Sequence, residues 1–168
     1  MDNSLKVTIT LFKPVFEASL DGIAVLDVDC RIQYANSSMR SLLGISGREL
    51  AKSPVFCDCI ILSACAAQCE LQRVANTGAT LRLDESPAER GEDKMRISLK
   101  AIPLYYPGKQ KGPTPLGVIV SARETTGEIL LQAKYHRAML LMQEKDQAIL
   151  ELADRLKLKE DVLRRSRR

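Results

Sequence analysis

The chain has 168 residues, 45% of them hydrophobic and 27% charged, with a formal net charge of +4. That length suits one domain of ordinary size plus an extension, and no stretch is long and apolar enough to span a bilayer. From Arg155 to Arg168 seven basic side chains face only Glu160 and Asp161, so the excess charge belongs to the tail. The remaining body is close to neutral and argues against nucleic acid as a partner, because a basic helical tail is more often a solvated face.

The N-terminus, Met1-Asp-Asn-Ser-Leu-Lys, has neither the charged start nor the apolar block of a signal peptide, so a cytoplasmic protein is expected. Val7 to Leu11 reads as a weak strand. Leu11 to Leu20 reads as a short amphipathic helix with Pro14 in its first turn, broken by Asp21-Gly22. Residues 1–20 are expected to form an N-terminal cap segment. Gly22 to Asp27 is an apolar, β-branched run of strand length, and Arg31 to Tyr34 alternates as a second strand. With a turn at Val28-Asp29-Cys30 the two form a hairpin. Asn36 is a good N-cap for a helix that Gly44 stops, and Ser46 caps another short turn.

Four of the five cysteines then fall within thirteen residues, Cys57 to Cys69, as C-x-C-x5-C-x3-C. In an extended segment Cys57 and Cys59 leave the same side of the backbone, and in a helix Cys65 and Cys69 share a face. If the chain folds back, four thiolates converge as a metal or iron–sulfur centre requires. Core packing and disulfide pairing compete with that reading, since free cysteine is a common small core residue and thiols in a reducing compartment form only transient bridges. Among metals an iron–sulfur cluster is favoured over zinc, because one cysteine pair is tighter than the C-x2-4-C spacing usual for structural zinc. Cys30, in the hairpin turn, has no partner at ligand spacing and is expected to stand outside the site.

The cysteine stretch runs into a helix through Glu70 to Thr77, with Ala67, Leu71 and Val74 on its inner face and Gly78 at its end. Three strands are expected at Ala79–Asp84, Lys94–Tyr106 and Leu116–Arg123, separated by loops at Pro87–Asp93 and Pro107–Pro115.

Taken in order, Phe16-Glu-Ala-Ser-Leu-Asp-Gly-Ile-Ala-Val-Leu-Asp27, Arg31-Ile-Gln-Tyr-Ala-Asn36, Leu42-Leu-Gly44 and Ala75-Asn-Thr-Gly78 resemble the landmarks of the PAS sensory domain. The resemblance covers Leu11 to Thr126. It implies an α+β fold, a five-stranded antiparallel sheet with short helices on one face, over residues 21–126. Cys30 stands where the family usually places a turn glycine, so a different turn is expected. The family's flavin motif around a reactive cysteine is absent, and the only histidine, His136, lies beyond the last strand, so neither flavin nor haem is expected. The resemblance places the cysteine quartet at the ligand-facing helices.

From Glu128 to Arg165 there is no proline or glycine. Leu131, Tyr135, Ala138, Met142, Lys145, Ile149, Leu152, Leu156, Lys159 and Leu163 alternate by four and three, the repeat of a coiled coil. Residues 127–168 are therefore read as a signalling helix that forms a homodimer, with Lys145 and Lys159 weakening the seam. His136 lacks the acidic residue and proline expected after a phospho-accepting histidine. The sequence as a whole reads as a cytoplasmic sensory module of a signal-transduction protein. In that reading an iron–sulfur cluster is held by Cys57, Cys59, Cys65 and Cys69, its redox or gas state is relayed through a dimeric helix, and an output domain lies downstream. Zinc in a structural staple, or a thiol/disulfide switch, is the alternative. An enzyme is not expected: no phosphate-cradling glycine loop is present, and a Cys–His pair would have to recruit His136.

Overall fold

The computed structural model describes residues 3–65, 69–105 and 115–166, with side chains described as far as Leu152. Two compact units divide at Thr126/Gly127. In the first, α1 (Asn3–Glu17), β1 (Gly22–Leu26), β2 (Ile32–Ala35), α2 (Ser37–Leu43), α3 (Gly47–Leu50), α4 (Phe56–Cys59), β3 (Ile61–Leu62), a 3-10 turn (Ser63–Cys65), α5 (Glu70–Thr77), β4 (Leu81–Arg90), β5 (Asp93–Leu104) and β6 (Gly117–Glu124) follow in order. The second consists of α6, Thr126–Ser166, apart from its first residue.

The strands form one antiparallel sheet in the order β2-β1-β6-β5-β4-β3. Six strands replace the expected five. The extra one, β3, is only two residues long and lies inside the cysteine run, where Ile61 and Leu62 pair with Glu89 and Ala88 of β4. Alternation then sorts the side chains into two faces. Ala24 and Leu26 of β1, Ile97, Leu99 and Ala101 of β5, and Val118, Val120 and Ala122 of β6 join the large core with Met39, Phe56 and Leu71. Val25, Tyr34, Ile23 and Ile119 face the other way and pack with Leu5, Ile9 and Phe16 of α1. The short helices α2 to α5 thus cover one face, and α1 covers the other.

The N-terminal expectation needs correction. Residues Val7 to Leu11 are helical, α1 starts at Asn3, and Pro14 lies inside it rather than in its first turn. Leu5, Ile9 and Phe16 recur at helical spacing and are buried, so burial of one stripe outweighs the local β-propensity of Val7-Thr-Ile-Thr. Pro87 to Asp93 is likewise not a loop. It completes β4 and turns through Gly91, which takes a left-handed backbone with φ 59°, as a two-residue hairpin connection requires. Pro87 is accommodated beside a bulge in β4 between Leu83 and Ser86. Tyr106, the loop from Pro107 and Ala67 lie outside the described residues.

Asn36 holds the two faces together. It is fully buried, and its Oδ1 accepts from the backbone N–H of Ile23 (2.9 Å) and of Met39 (2.8 Å). Its Nδ2 donates to the carbonyls of Phe16 (2.8 Å) and Asp21 (3.0 Å). One side chain therefore caps α2, pins β1 and ends α1. On the same side Glu17 accepts from the Tyr34 hydroxyl at 2.9 Å. Replacing Asn36 with alanine strands two backbone carbonyls and two N–H groups, at about 1–3 kcal/mol for each that stays dry. We expect N36A to lose about 3 kcal/mol or more, measured from the urea midpoint. A loss below about 1 kcal/mol, the usual value of an exposed cap, would contradict this role.

Candidate metal centre

The cysteine segment is not the extended strand plus helix that its spacing suggested. Cys57 and Cys59 sit in the single helical turn α4, where residues two apart point about 200° away from each other. Their side chains therefore diverge. Cys65 ends the 3-10 turn, and Cys69 is the extended N-cap residue of α5 with φ −68° and ψ 104°. The helix-favouring run that would have put Cys65 and Cys69 on one helical face is thus interrupted, and Ala66 to Gln68 lie outside the described residues.

Three thiols nevertheless converge. The sulfurs of Cys57, Cys65 and Cys69 all lie within 4.8 Å of one another, and Cys57 Sγ is 3.4 Å from Cys69 Sγ. Cys59 stands apart: its Sγ meets the Val55 carbonyl at 3.5 Å. All four are half-buried against the main core. Strand β3 pins the segment to the sheet between Cys59 and Cys65. Cys30 is almost wholly buried in the same core, and after burial Cys69 is the neighbour that most raises its thiol. The sequence offered no spacing from which that long-range approach could be read.

The thiols are electrostatically unequal. A hydrogen bond with Cys57 holds the Cys65 thiol down to about 6, against the pull of burial and with help from the Glu70 and Leu71 N–H groups at the start of α5. Those N–H groups carry the positive end of the helix, which stabilises a thiolate. Cys57 is pushed up by its hydrogen bond with Cys65 and then by burial. Burial, followed by the neighbouring Cys69, pushes Cys30 up to about 12. Burial also raises Cys59, with Asp58 and Glu49 adding to it rather than other cysteines. One thiolate held by a neighbouring thiol and two backbone N–H groups is a site already prepared to release protons to a cation.

The donor set suits a soft metal, since within the described residues the 4.8 Å group is entirely cysteine. A tetrahedral ion with sulfur ligands at about 2.3 Å holds those sulfurs about 3.8 Å apart, inside the 4.8 Å that bounds the three. A cluster spreads its thiolates over several irons and sets the sulfurs further apart.

The family model described as the PAS fold matches residues 16–129, and the chain belongs to that family. Solved structures agree. The PAS domain of nitrogen regulation protein NR(II) from Vibrio parahaemolyticus is 14% identical with a TM-score of 0.51, over 68% of this chain and 97% of that one. A domain of the sensory box sensor histidine kinase/response regulator from Geobacter sulfurreducens is 19% identical with a TM-score of 0.50, over 72% and 97%. The PAS domain of BvgS from Bordetella pertussis is 12% identical with a TM-score of 0.51, over 79% and 97%. At these identities the likeness establishes the fold. No curated protein matches the chain.

The inequality of the thiols has a kinetic signature, because the thiolate is the nucleophile. A pKa lowered to about 6 means the Cys65 thiolate is populated above that pH and lost below it. In reduced, metal-free protein, alkylation of Cys65 by iodoacetamide is expected to rise through pH 6 and level off above pH 7, read by peptide mass spectrometry. A rate still climbing beyond pH 8, as for an ordinary thiol near 8.5, would contradict the assignment.

Proposed function

We propose that this chain is the sensory module of a signal-transduction protein and that its stimulus is received at a thiolate-bound metal centre. The observation that carries this reading is the convergence of Cys57, Cys65 and Cys69 on the core side of a PAS sheet. The sulfur spacing favours one tetrahedral ion of the zinc type over the iron–sulfur cluster expected from sequence. The cluster remains the alternative that an all-thiolate donor set supports. The reported signal is the state of the centre, filled or empty, or oxidised or reduced if it holds iron and sulfide. The reading is of a binding module rather than an enzyme. The neighbours from histidine kinases are consistent with a sensory role, and an output domain downstream would complete it.

The output is read through α6. This helix is 41 residues long, about 60 Å by the usual helical rise. Leu131, Tyr135, Met142, Ile149 and Leu152 are each more than half exposed in a single chain. They fall on the four-and-three repeat, which supports pairing with a second copy in parallel register. Within the first unit, a route toward α6 runs along β6. This strand pairs with β1 through Gly22–Leu26 and continues to Thr125, whose N–H donates to the Arg96 carbonyl at 2.8 Å. No described helix is long and apolar enough to cross a membrane.

Metal analysis of anaerobically purified protein tests the centre. We expect about one ion per chain in a colourless protein, lost on replacing Cys65 with serine. Iron and sulfide with broad visible absorbance would move the reading to a cluster, and no bound metal would overturn it. Assembly is tested separately. Ending the chain after Thr126 is expected to convert a dimer to a monomer by light scattering, and a truncated chain that stayed dimeric would place the interface elsewhere.

A further inference from the structure

The β1–β2 turn contains a residue that the turn itself does not call for. Cys30 N–H donates to the Asp27 carbonyl at 3.1 Å, Asp27 Oδ1 accepts from the N–H of Asp29 and of Arg31, each at 3.0 Å, and β1 is bulged between Val25 and Leu26. This is a three-residue hairpin connection closing on a left-handed residue, a position that favours glycine. Cys30 occupies it with φ 59°. The expectation of a different turn is therefore wrong: the glycine geometry is kept, and a cysteine bears it. A non-glycine residue in that conformation is strained, and such strain persists where the surroundings hold the residue for another reason.

The surroundings point to the cysteine centre. The Cys30 carbonyl accepts from Phe56 N–H at 3.0 Å, one residue before Cys57, and Ile32 N–H donates to the Pro54 carbonyl at 2.9 Å. Gln72 Nε2, one helical turn beyond Cys69, donates to the Val28 carbonyl at 2.7 Å. The turn is thus stapled to both segments that supply converging thiols. Its side chain is buried at 1% exposure, outside the 4.8 Å group but in the core cluster against which Cys57, Cys65 and Cys69 pack. Cys59 is carried the other way by the α4 turn.

We propose that Cys30, and not Cys59, is the fourth thiolate of the centre, completing a tetrahedral set with Cys57, Cys65 and Cys69. The inference rests on the metal-centre reading above. It also identifies the element through which occupancy reaches the sheet. Cys57 and Cys65 lie in short helical turns and Cys69 caps one, whereas Cys30 ends the loop between two sheet strands, the first of which pairs directly with β6.

The test uses the full chain, reduced, stripped with a chelator and titrated with cobalt(II), whose visible d–d bands distinguish four sulfur ligands from three plus water. Cys30→Gly removes the thiol while relaxing the left-handed turn, so circular dichroism of the metal-free variant is expected to match the parent. We expect the parent and Cys59→Ala to share a four-sulfur spectrum and affinities within about twofold of each other. Cys30→Gly should bind at least tenfold more weakly with a three-sulfur spectrum, a loss no smaller than that from disturbing a supporting residue (about 10–100-fold). An unchanged spectrum in Cys30→Gly, or the three-sulfur spectrum in Cys59→Ala, overturns the assignment while leaving the centre standing. A parent that neither binds cobalt nor purifies with metal removes the centre, and the assignment with it.

Discussion

The buried amide of Asn36 is the constraint on which the rest of this fold is arranged. All four of its side-chain bonds go to backbone groups from different parts of the chain, the end of α1, the Asp21 break, the start of β1 and the first turn of α2. Two of these bonds are buried and two part-buried, so the groups depend on a protein partner, and one residue supplies all of them. With that corner fixed, β1 and β2 leave it as a hairpin with one face under α1 and the other facing the main core. The far end of the hairpin is tied by Asp27, whose carboxylate accepts from Asp29, Arg31 and the Gln33 amide. The turn that carries Cys30 therefore has little freedom to move away from the cysteine segment.

Within its described residues that segment has little regular structure of its own. Its helical turns are four and three residues long and its strand two, too short to be stable alone. It is held from outside, by β4 along Ile61 and Leu62 and by the β1–β2 turn through Phe56 and Gln72. Such a segment suits a receptor site, because its conformation is set by few contacts and a bound ion would add several more. The crowding of Cys57, Cys65 and Cys69 fits the same view. Half-buried thiols with one favoured thiolate gain more from a cation than from one another.

Much of the scaffold was legible in the sequence because local chemistry and the fold agree there. Asn36 as N-cap, Ser46 as the cap of α3, Gly44 and Gly78 as left-handed helix ends, and the β1–β2 hairpin all occur as their residue types demand. Tertiary burial overrode local signals elsewhere. Val7-Thr-Ile-Thr has strand propensity yet is helical under the sheet, and Pro87 has loop character yet sits in β4. At the site, spacing revealed that thiols were gathered but not which ones. Two-residue spacing brings Cys57 and Cys59 to one side only if the backbone is extended, and it is helical there. The approach of Cys30 spans a sequence separation that no local pattern encodes. The one hint was a cysteine in a glycine position, and its meaning needed the fold.

X-ray absorption at the edge of the metal found in this chain tests the proposed centre most directly. A single tetrahedral ion held by Cys30, Cys57, Cys65 and Cys69 predicts one shell of four sulfurs at about 2.3 Å and no metal–metal scattering. A metal–metal shell would show a cluster in its place, and a shell with nitrogen or oxygen beside three sulfurs would contradict the four-cysteine account.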